Sequence, residues 1–498
     1  MTIKSAFAWL RRQPGALDAC LFLVVLAATA FTAGARLSAL AGFVSPLAAV
    51  LFLRRRGAAT GLPLGLCAFV VAHIVGWRDV LPLAAPAAIA LAALIGAVSF
   101  IPFVIDRLLA PRLPGFAGAL VLPCAWVVTA AIAHRAGIGT WGDVGYTQFG
   151  NRWLLQAAAL SGLSTLLFGL GWAASATAAC LLSGGRVRAP LAACLAAATC
   201  LCGFAVYRTS APAPRVRVAG ITVDNLPVFR NVWRPLSYGR PLDATAAAKA
   251  RPQTLALQRR LLDASRQQAR AGARIIVWSE GAAMTLGSDE AAFIAQGQKL
   301  AREEGVYLFM TMAVVTPGDA LAVNKLSLIA PSGQVVAAYV KHHPAPGEAS
   351  VAGANGVGVV DTPYGRLGWA ICYDFDFSAF IRQAGRQGVD ILIDPSWEGA
   401  GMAALHSRMA AFRAVENGAA LFRVVNGGVS LAVDRTGRIL SQLDQTRPAA
   451  EDTVMLADIP TRGGRTLYGR FGDWLAIVSA GLGGALLLGA LRRKAGPP

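Results

Sequence analysis

Gly368-Trp369-Ala370-Ile371-Cys372-Tyr373-Asp374 reads as an apolar strand that breaks into a polar turn at a cysteine. Seven of the chain's eight cysteines lie in long apolar runs, whereas Cys372 lies in the extended polar stretch. A thiol at that point is presented at the end of a sheet. A partly exposed cysteine among charged groups is a candidate nucleophile, because the thiolate is the reactive form. The competing assignment is a small structural cysteine packed in a core.

Outward from Cys372, the same stretch alternates strands with helices. Residues 216–223 alternate like a strand, 253–272 carry helical periodicity, and Ile275-Ile276-Val277-Trp278 is a short buried strand ending at Ser279-Glu280. A helix over 289–304 leads to a strand over 306–315. Hairpins are expected across Pro331-Ser332-Gly333 and Pro363-Tyr364-Gly365. A helix over 378–388, a buried strand at 391–393, a helix over 401–417 and strands at 420–425 and 429–433 complete a layered α/β domain. Glu280, Lys341 and Cys372 each close a strand, where open α/β sheets place their sites. A carboxylate, an ammonium and a thiol supply a general base, an electrostatic clamp and a nucleophile. Taken singly, Glu280 as a helix cap and Lys341 as a solvated hairpin end are the plainer assignments; the triple coincidence favours a site.

The rest of the chain is of another kind. Of its 498 residues 55% are hydrophobic and only 15% charged, and the mean hydropathy is positive. This is the profile of a polytopic membrane protein with one soluble domain. Apolar runs near 17–34, 37–53, 59–77, 81–105, 115–133, 156–182, 189–207 and 472–490 suggest about eight spans, each needing about 20 residues. The expected organisation is a membrane domain over 1–209, a soluble domain over 210–465 and a final span with a tail over 466–498. The net charge of +19 does not indicate nucleic acid, because it is concentrated in alternate connections. Lys4, Arg11 and Arg12 precede the first run, and Arg54-Arg55-Arg56 follow the second. Arg107 and Arg112 follow the fourth, Arg186 and Arg188 the sixth, and Arg492, Arg493 and Lys494 the last. The positive-inside rule then puts both termini in the cytoplasm and the soluble domain outside, in the periplasm. A lone thiol there has no intradomain disulfide partner. No metal-ligand constellation or cofactor motif is present in the sequence, and none is expected; a monomer is.

The order of the three groups, with their local motifs, resembles the nitrilase (carbon–nitrogen hydrolase) superfamily, and the membrane-embedded layout resembles its apolipoprotein N-acyltransferase branch. Trp278-Ser279-Glu280 resembles the family's Trp-Pro-Glu. Lys341 followed by Pro346-Gly347-Glu348 resembles its Lys and Pro-Phe-Gly-Glu, and Cys372-Tyr373-Asp374 its Cys-Tyr-Glu. Arg413-Ala414-Val415-Glu416 and Asn426-Gly427-Gly428-Val429-Ser430 are similar to further family stretches, as are the loop at Gly145-Tyr146-Thr147-Gln148-Phe149 and the lead-in Tyr468 to Trp474. The resemblance implies an α-β-β-α sandwich and a ping-pong acyl transfer from a phospholipid, typically phosphatidylethanolamine at sn-1, through a Cys372 thioester to the amine of a diacylated lipoprotein acceptor. Glu280 would be the base, and Lys341 with the backbone N–H after Cys372 the oxyanion donors. Glu348 would orient Lys341 or relay protons, with Tyr373 and Asp374 supporting the elbow. Trp233 and Trp397 are expected to line the acyl or acceptor pocket; interfacial anchoring or core packing is the alternative for both. Asn324 and Asn426 read as turn or scaffold residues.

This chain departs from the family pattern at Asp394-Pro395-Ser396-Trp397-Glu398, where the family has Ser-Asn-Asp-Ala-Trp-Phe. Asp374 is one methylene shorter than the family acid, Ser279 replaces a proline, and His342-His343 follow the lysine. Three rivals stand beside the acyltransferase: a Cys–His protease-like site, a membrane-tethered nitrilase-type amidase or acyltransferase with another amine acceptor, and a non-enzymatic membrane scaffold with an inactive nitrilase domain.

Overall fold

The computed structural model describes residues 14–493 except 82, 138, 186, 210–212 and 447–451. Lys4, Arg11, Arg12, Arg186 and Lys494, used above for topology, lie outside the described residues. Contacts divide the chain into two compact units, residues 1–210 with 471–498, and residues 211–470.

The first unit is helical. Ala58–Gly76, Ala85–Arg112, Gly115–Ala133, Leu163–Leu182 and Trp474–Arg492 are long and apolar enough to cross a membrane. The expected count of eight is therefore not met by length among the described residues. Ala39–Arg55 has 17 residues, and a rise of about 1.5 Å per residue gives about 25 Å against a hydrocarbon core of about 30 Å. The apolar helix Ala189–Thr209 has 21 residues. The bundle core is aromatic, with Phe69 packed on Phe100 and Phe103, and Phe103 on Trp126. Gly96 permits close helix approach, since a Cβ there would sit 2.9 Å from the Phe69 carbonyl oxygen. The basic triplet is paired: Arg54 binds Asp106 and Ser175, while Arg55 and Arg56 both reach Asp18.

In the second unit the strands are β1 (Arg215–Thr222), β2 (Ile275–Trp278), β3 (Ala283–Leu286), β4 (Tyr307–Val315), β5 (Val323–Ile329), β6 (Val335–Val340), β7 (Gly358–Thr362), β8 (Gly365–Trp369), β9 (Ile391–Trp397), β10 (Ala420–Asn426), β11 (Val429–Val433), β12 (Ile439–Asp444) and β13 (Thr453–Pro460). They form two sheets, ordered β13-β1-β2-β4-β5-β6 with β3 beside β4, and β12-β11-β10-β9-β8-β7. Both hairpins form as read, β5–β6 and β7–β8. The sheets pack face to face: Gly220 of β1 faces Phe422 and Val424 of β10, and Phe309 of β4 meets Trp369 of β8 edge-on. Helices Ala244–Arg270 and Glu290–Glu304 cover one sheet, and Ala403–Asn417 covers the other with Ser378–Arg386 against it. This is the α-β-β-α sandwich the sequence implied.

The first of these helices starts well before the expected residue 253. Asp243 caps it by accepting the Ala246 N–H at 2.7 Å, and the helix runs through Pro252. A proline removes one backbone donor from an interior turn, which is why it reads as a start; the cap and the apolar face through Leu257 and Leu261 carry the helix across it.

Candidate active site

Parallel strands bring their C-terminal ends to one edge of each sheet, and facing edges bring the candidates together. Glu280 lies two residues past β2, Lys341 directly follows β6, and Cys372 opens a short turn, Cys372–Asp376, after β8. Cys372 has φ of 48°, the left-handed region that side chains avoid; Asp79 is the other non-glycine there among the described residues. That strain costs about 1–3 kcal/mol and persists only where surrounding bonds enforce it. Two carboxylates do so. Asp394 Oδ1 accepts the Cys372 N–H at 3.2 Å, and Asp374 Oδ2 accepts the Ile371 N–H at 3.1 Å.

Lys341 is 2% exposed and lies between two acids, its Nζ donating to Glu280 Oε1 at 2.7 Å and to Glu348 Oε2 at 2.6 Å. Burial opposes its charge, but Glu280 and Glu348 outweigh that and hold the ammonium well above the usual lysine range. Burial raises Glu280 above the ordinary carboxylate range although Lys341 pulls the other way. Glu348 is also buried, yet Lys341 and its hydrogen bonds keep it lowered. The two carboxylates therefore differ in basicity, and Glu280 is the better proton acceptor. Asn324, read above as a turn or scaffold residue, belongs to this cluster. Its Nδ2 donates to Glu280 Oε1 at 2.7 Å and to Glu348 Oε1 at 2.9 Å. The Ala345 N–H and Ser350 hydroxyl complete the shell of Glu348.

Cys372 is 6% exposed, so it is buried rather than partly exposed as the turn had suggested. Burial pushes its thiol well above the usual range, with Glu280 adding to the rise and Lys341 opposing it. Burial thus favours the neutral thiol. Trp397 links the thiol to Glu280: the Trp397 N–H donates to Glu280 Oε2 at 2.8 Å, and its carbonyl accepts from Cys372 Sγ at 3.6 Å. The Trp397 ring meets Phe229 edge-on at 4.4 Å. Trp233, 7% exposed, belongs to the hydrophobic cluster against which Phe229 and Trp397 pack.

Asp374 is fully buried and ties the elbow to the segment after β6. It accepts from the Tyr339 hydroxyl at 2.7 Å and from the His343 N–H at 2.7 Å, and meets His343 Nδ1 at 3.0 Å. The histidine pair packs sideways, His342 stacking on Phe380 and His343 on Phe377. Tyr373 meets Phe377 edge-on, and burial raises its hydroxyl to about 12.

A second charged cluster lies behind Cys372, and it was not read from the sequence. Arg423 Nη1 donates to Asp394 Oδ2 at 2.5 Å and Nη2 to Glu398 Oε2 at 2.8 Å. His406 lies 2.5 Å from Glu398 Oε2 through Nδ1 and 2.8 Å from Asp376 Oδ1 through Nε2. Its sequence signal was the departure at 394–398, since Arg423 sits among apolar neighbours and His406 carries no motif. With His406 engaged by these acids and Cys372 Sγ on the Trp397 carbonyl, the Cys–His protease-like site has no histidine on its thiol. Among the described residues no group of His, Cys, Asp and Glu is arranged to hold a metal ion.

The sequence model of the carbon-nitrogen hydrolase family matches residues 246–466. Over 399 residues the chain is 27% identical to an apolipoprotein N-acyltransferase of Geobacter metallireducens, covering 71% of this chain and 70% of that protein. A protein of the same name from Gloeobacter violaceus is 28% identical over 370 residues, covering 69% and 66%. The solved structure of an amidase from Nesterenkonia sp. aligns with a TM-score of 0.41 at 19% identity, over 54% of this chain and 98% of that one. The chain is thus a divergent relative of the apolipoprotein N-acyltransferases, with a carbon-nitrogen hydrolase domain over residues 246–466.

Proposed function

We propose that this protein is a membrane acyltransferase of lipoprotein N-acylation, with Glu280, Lys341 and Cys372 as its catalytic residues. The observation that carries this is the buried Lys341 ammonium held between Glu280 and Glu348, with Cys372 joined to Glu280 through the Trp397 peptide. The similarity to proteins named apolipoprotein N-acyltransferase supports the reaction class.

In the proposed reaction Glu280 takes the Cys372 proton as Sγ attacks the carbonyl carbon of a phospholipid ester, phosphatidylethanolamine at sn-1. Lys341 and the backbone N–H after Cys372 stabilise the oxyanion, a contact worth about 3–4 kcal/mol. The tetrahedral adduct collapses, the lysophospholipid alkoxide leaves with the proton from Glu280, and an acyl thioester remains. The α-amine of a diacylglyceryl-cysteine acceptor then attacks the thioester, gives its proton to Glu280 and releases the thiolate, which Glu280 reprotonates. A neutral resting thiol beside a carboxylate of raised basicity suits general-base activation better than a pre-formed thiolate. Glu348 stays ionised and keeps Lys341 charged and aimed.

The catalytic domain is proposed to face the periplasm of a bacterial inner membrane, on the alternation of basic connections read above. A water-poor site favours the amine over hydrolysis of the thioester. The test is transfer of a labelled acyl chain from phosphatidylethanolamine vesicles to a diacylated lipopeptide by the full-length protein. Transfer to the lipopeptide amine is expected. Hydrolysis of small amides without transfer would instead make this an amidase.

A further inference from the structure

The cluster behind Cys372 is a group of five buried ionisable side chains, Asp376, Asp394, Glu398, His406 and Arg423, that the proposed reaction does not use. Arg423 and Asp394 are buried completely. Such a cluster is poor value as a stabiliser, because taking charges out of water costs as much as their pairing returns, and apolar side chains of equal volume serve as well. Its placement is more telling than its composition. Asp394 lies in β9 and is the register partner of Arg423 in the parallel neighbour β10. The same guanidinium reaches across to Glu398, just beyond the end of β9. One buried cation therefore grips both ends of segment 394–398.

Between those ends lies Trp397, whose N–H binds Glu280 and whose carbonyl meets Cys372 Sγ. Asp394 also holds the Cys372 N–H, with Ser396 Oγ donating to the same Oδ1 at 2.8 Å. Two glycines make room for the far end. A Cβ on Gly428 would sit 2.1 Å from Glu398 Oε1, and one on Gly427 would sit 2.5 Å from the Glu398 carbonyl oxygen. His406 clamps Glu398 from the helix Ala403–Asn417 and Asp376 from the elbow itself.

We infer that Glu398, with Arg423, Asp394 and His406, is a positioning device that fixes the Trp397 peptide between the base and the thiol and holds the strained Cys372 backbone in place. The role in acyl transfer rests on the function proposed above; the effect on the thiol does not. These residues touch no substrate in this account. They act through Trp397 and the Cys372 N–H.

Two variants of the full-length protein test this, Glu398→Gln and the milder Ser396→Ala. Two readouts separate the claims: the pH profile of iodoacetamide alkylation, followed at the Cys372 peptide by mass spectrometry, and acyl-enzyme formation from phosphatidylethanolamine vesicles. Glu398→Gln is expected to slow acyl-enzyme formation by about a hundredfold with half-saturation by donor unchanged, as for misplacement of a reacting group. Its alkylation profile should move to lower pH, because a buried anion has been removed. Ser396→Ala should slow acylation by about tenfold, the loss of one hydrogen bond to a charged group. If Glu398→Gln does not fold, Ser396→Ala decides alone. Folded variants with wild-type alkylation and acylation would overturn the proposal, as would a rise in donor half-saturation alone. A wild-type protein that forms no acyl-enzyme, in which the variants still change Cys372 alkylation, would refute the acyltransferase and leave the positioning device standing.

Discussion

Replacing Lys341 by methionine removes one charge from the centre of the site while keeping the shape of the stem. Two short contacts are lost, to Glu280 at 2.7 Å and Glu348 at 2.6 Å. The deleted group is the proposed oxyanion donor, and removal of one such donor costs about 10²–10³ in rate. Glu280 also loses a partner that orients it. These effects are not additive, and a fall of about 10³ in acyl-enzyme formation is expected. Stability suffers as well, because breaking a buried ion pair costs about 3–5 kcal/mol. For a domain of this size about 3 kcal/mol corresponds to a melting temperature lower by about 6–12 °C. That deficit depends on pH. Without Lys341, burial and the neighbouring Glu348 keep Glu280 protonated in the folded state where the unfolded chain has lost its proton. The folded variant then binds more protons than the unfolded one, so its stability falls as pH rises and the deficit is larger at about pH 8 than at about pH 5. The assays are acyl-enzyme mass spectrometry with phosphatidylethanolamine vesicles and thermal melts at the two pH values. A variant with wild-type acylation, or a melting deficit independent of pH, would refute the reasoning.

Cys372→Ser is expected to leave the fold intact and to abolish the hydroxylamine-labile acyl adduct; a persisting adduct at another cysteine would remove Cys372 as nucleophile. His406 is buried, which opposes its charge, but Asp376 and Glu398 outweigh this and raise it from 6.5 to about 9. Its contribution, roughly 3 kcal/mol for a shift of that size, is fully present below about pH 6.5 and is lost as pH rises through about 9. His406→Gln should flatten that alkaline decline in denaturant melts, and an unchanged pH dependence would count against the assignment. Gly418 ends the helix Ala403–Asn417 at φ 70°, and a Cβ there would lie 1.8 Å from the Gly464 carbonyl oxygen. Gly418→Ala should cost about 2–4 kcal/mol from the left-handed strain and the overpacking together, whereas a melt within experimental error of wild type would contradict the glycine requirement. A membrane-impermeant thiol reagent applied to intact cells should reach Cys372 from the outside once the domain is opened by mild denaturant; labelling confined to inside-out vesicles would reverse the proposed orientation.

The sandwich was legible because its signals are local. The β5–β6 and β7–β8 turns carry proline and glycine at the required places, and the buried strands at 275–278 and 391–393 are short apolar runs. Glu280, Lys341 and Cys372 were legible as strand ends. Asn324 was not, because an asparagine within a strand shows nothing of the two carboxylates that converge on it from the segments after β2 and β6. The Arg423 cluster was hidden for the same reason: its members come from the elbow, β9, β10 and a helix, and only the sheet register makes Arg423 a neighbour of Asp394. Burial of Cys372 also escaped the sequence, since a polar turn reads as solvent whether or not the facing sheet covers it. The count of eight spans is not reached among the described residues, where five helices have the length and apolarity to cross a membrane and Ala39–Arg55 stops at 17 residues.

The most direct measurement is the mass of the Cys372 peptide from the full-length protein incubated with phosphatidylethanolamine vesicles and then chased with a diacylated lipopeptide. A thioester-linked acyl mass on Cys372 that disappears as the same acyl mass arrives on the lipopeptide amine is the expected result. Cys372 that stays unmodified while acyl groups still reach the lipopeptide, or an adduct discharged to water alone, would contradict it.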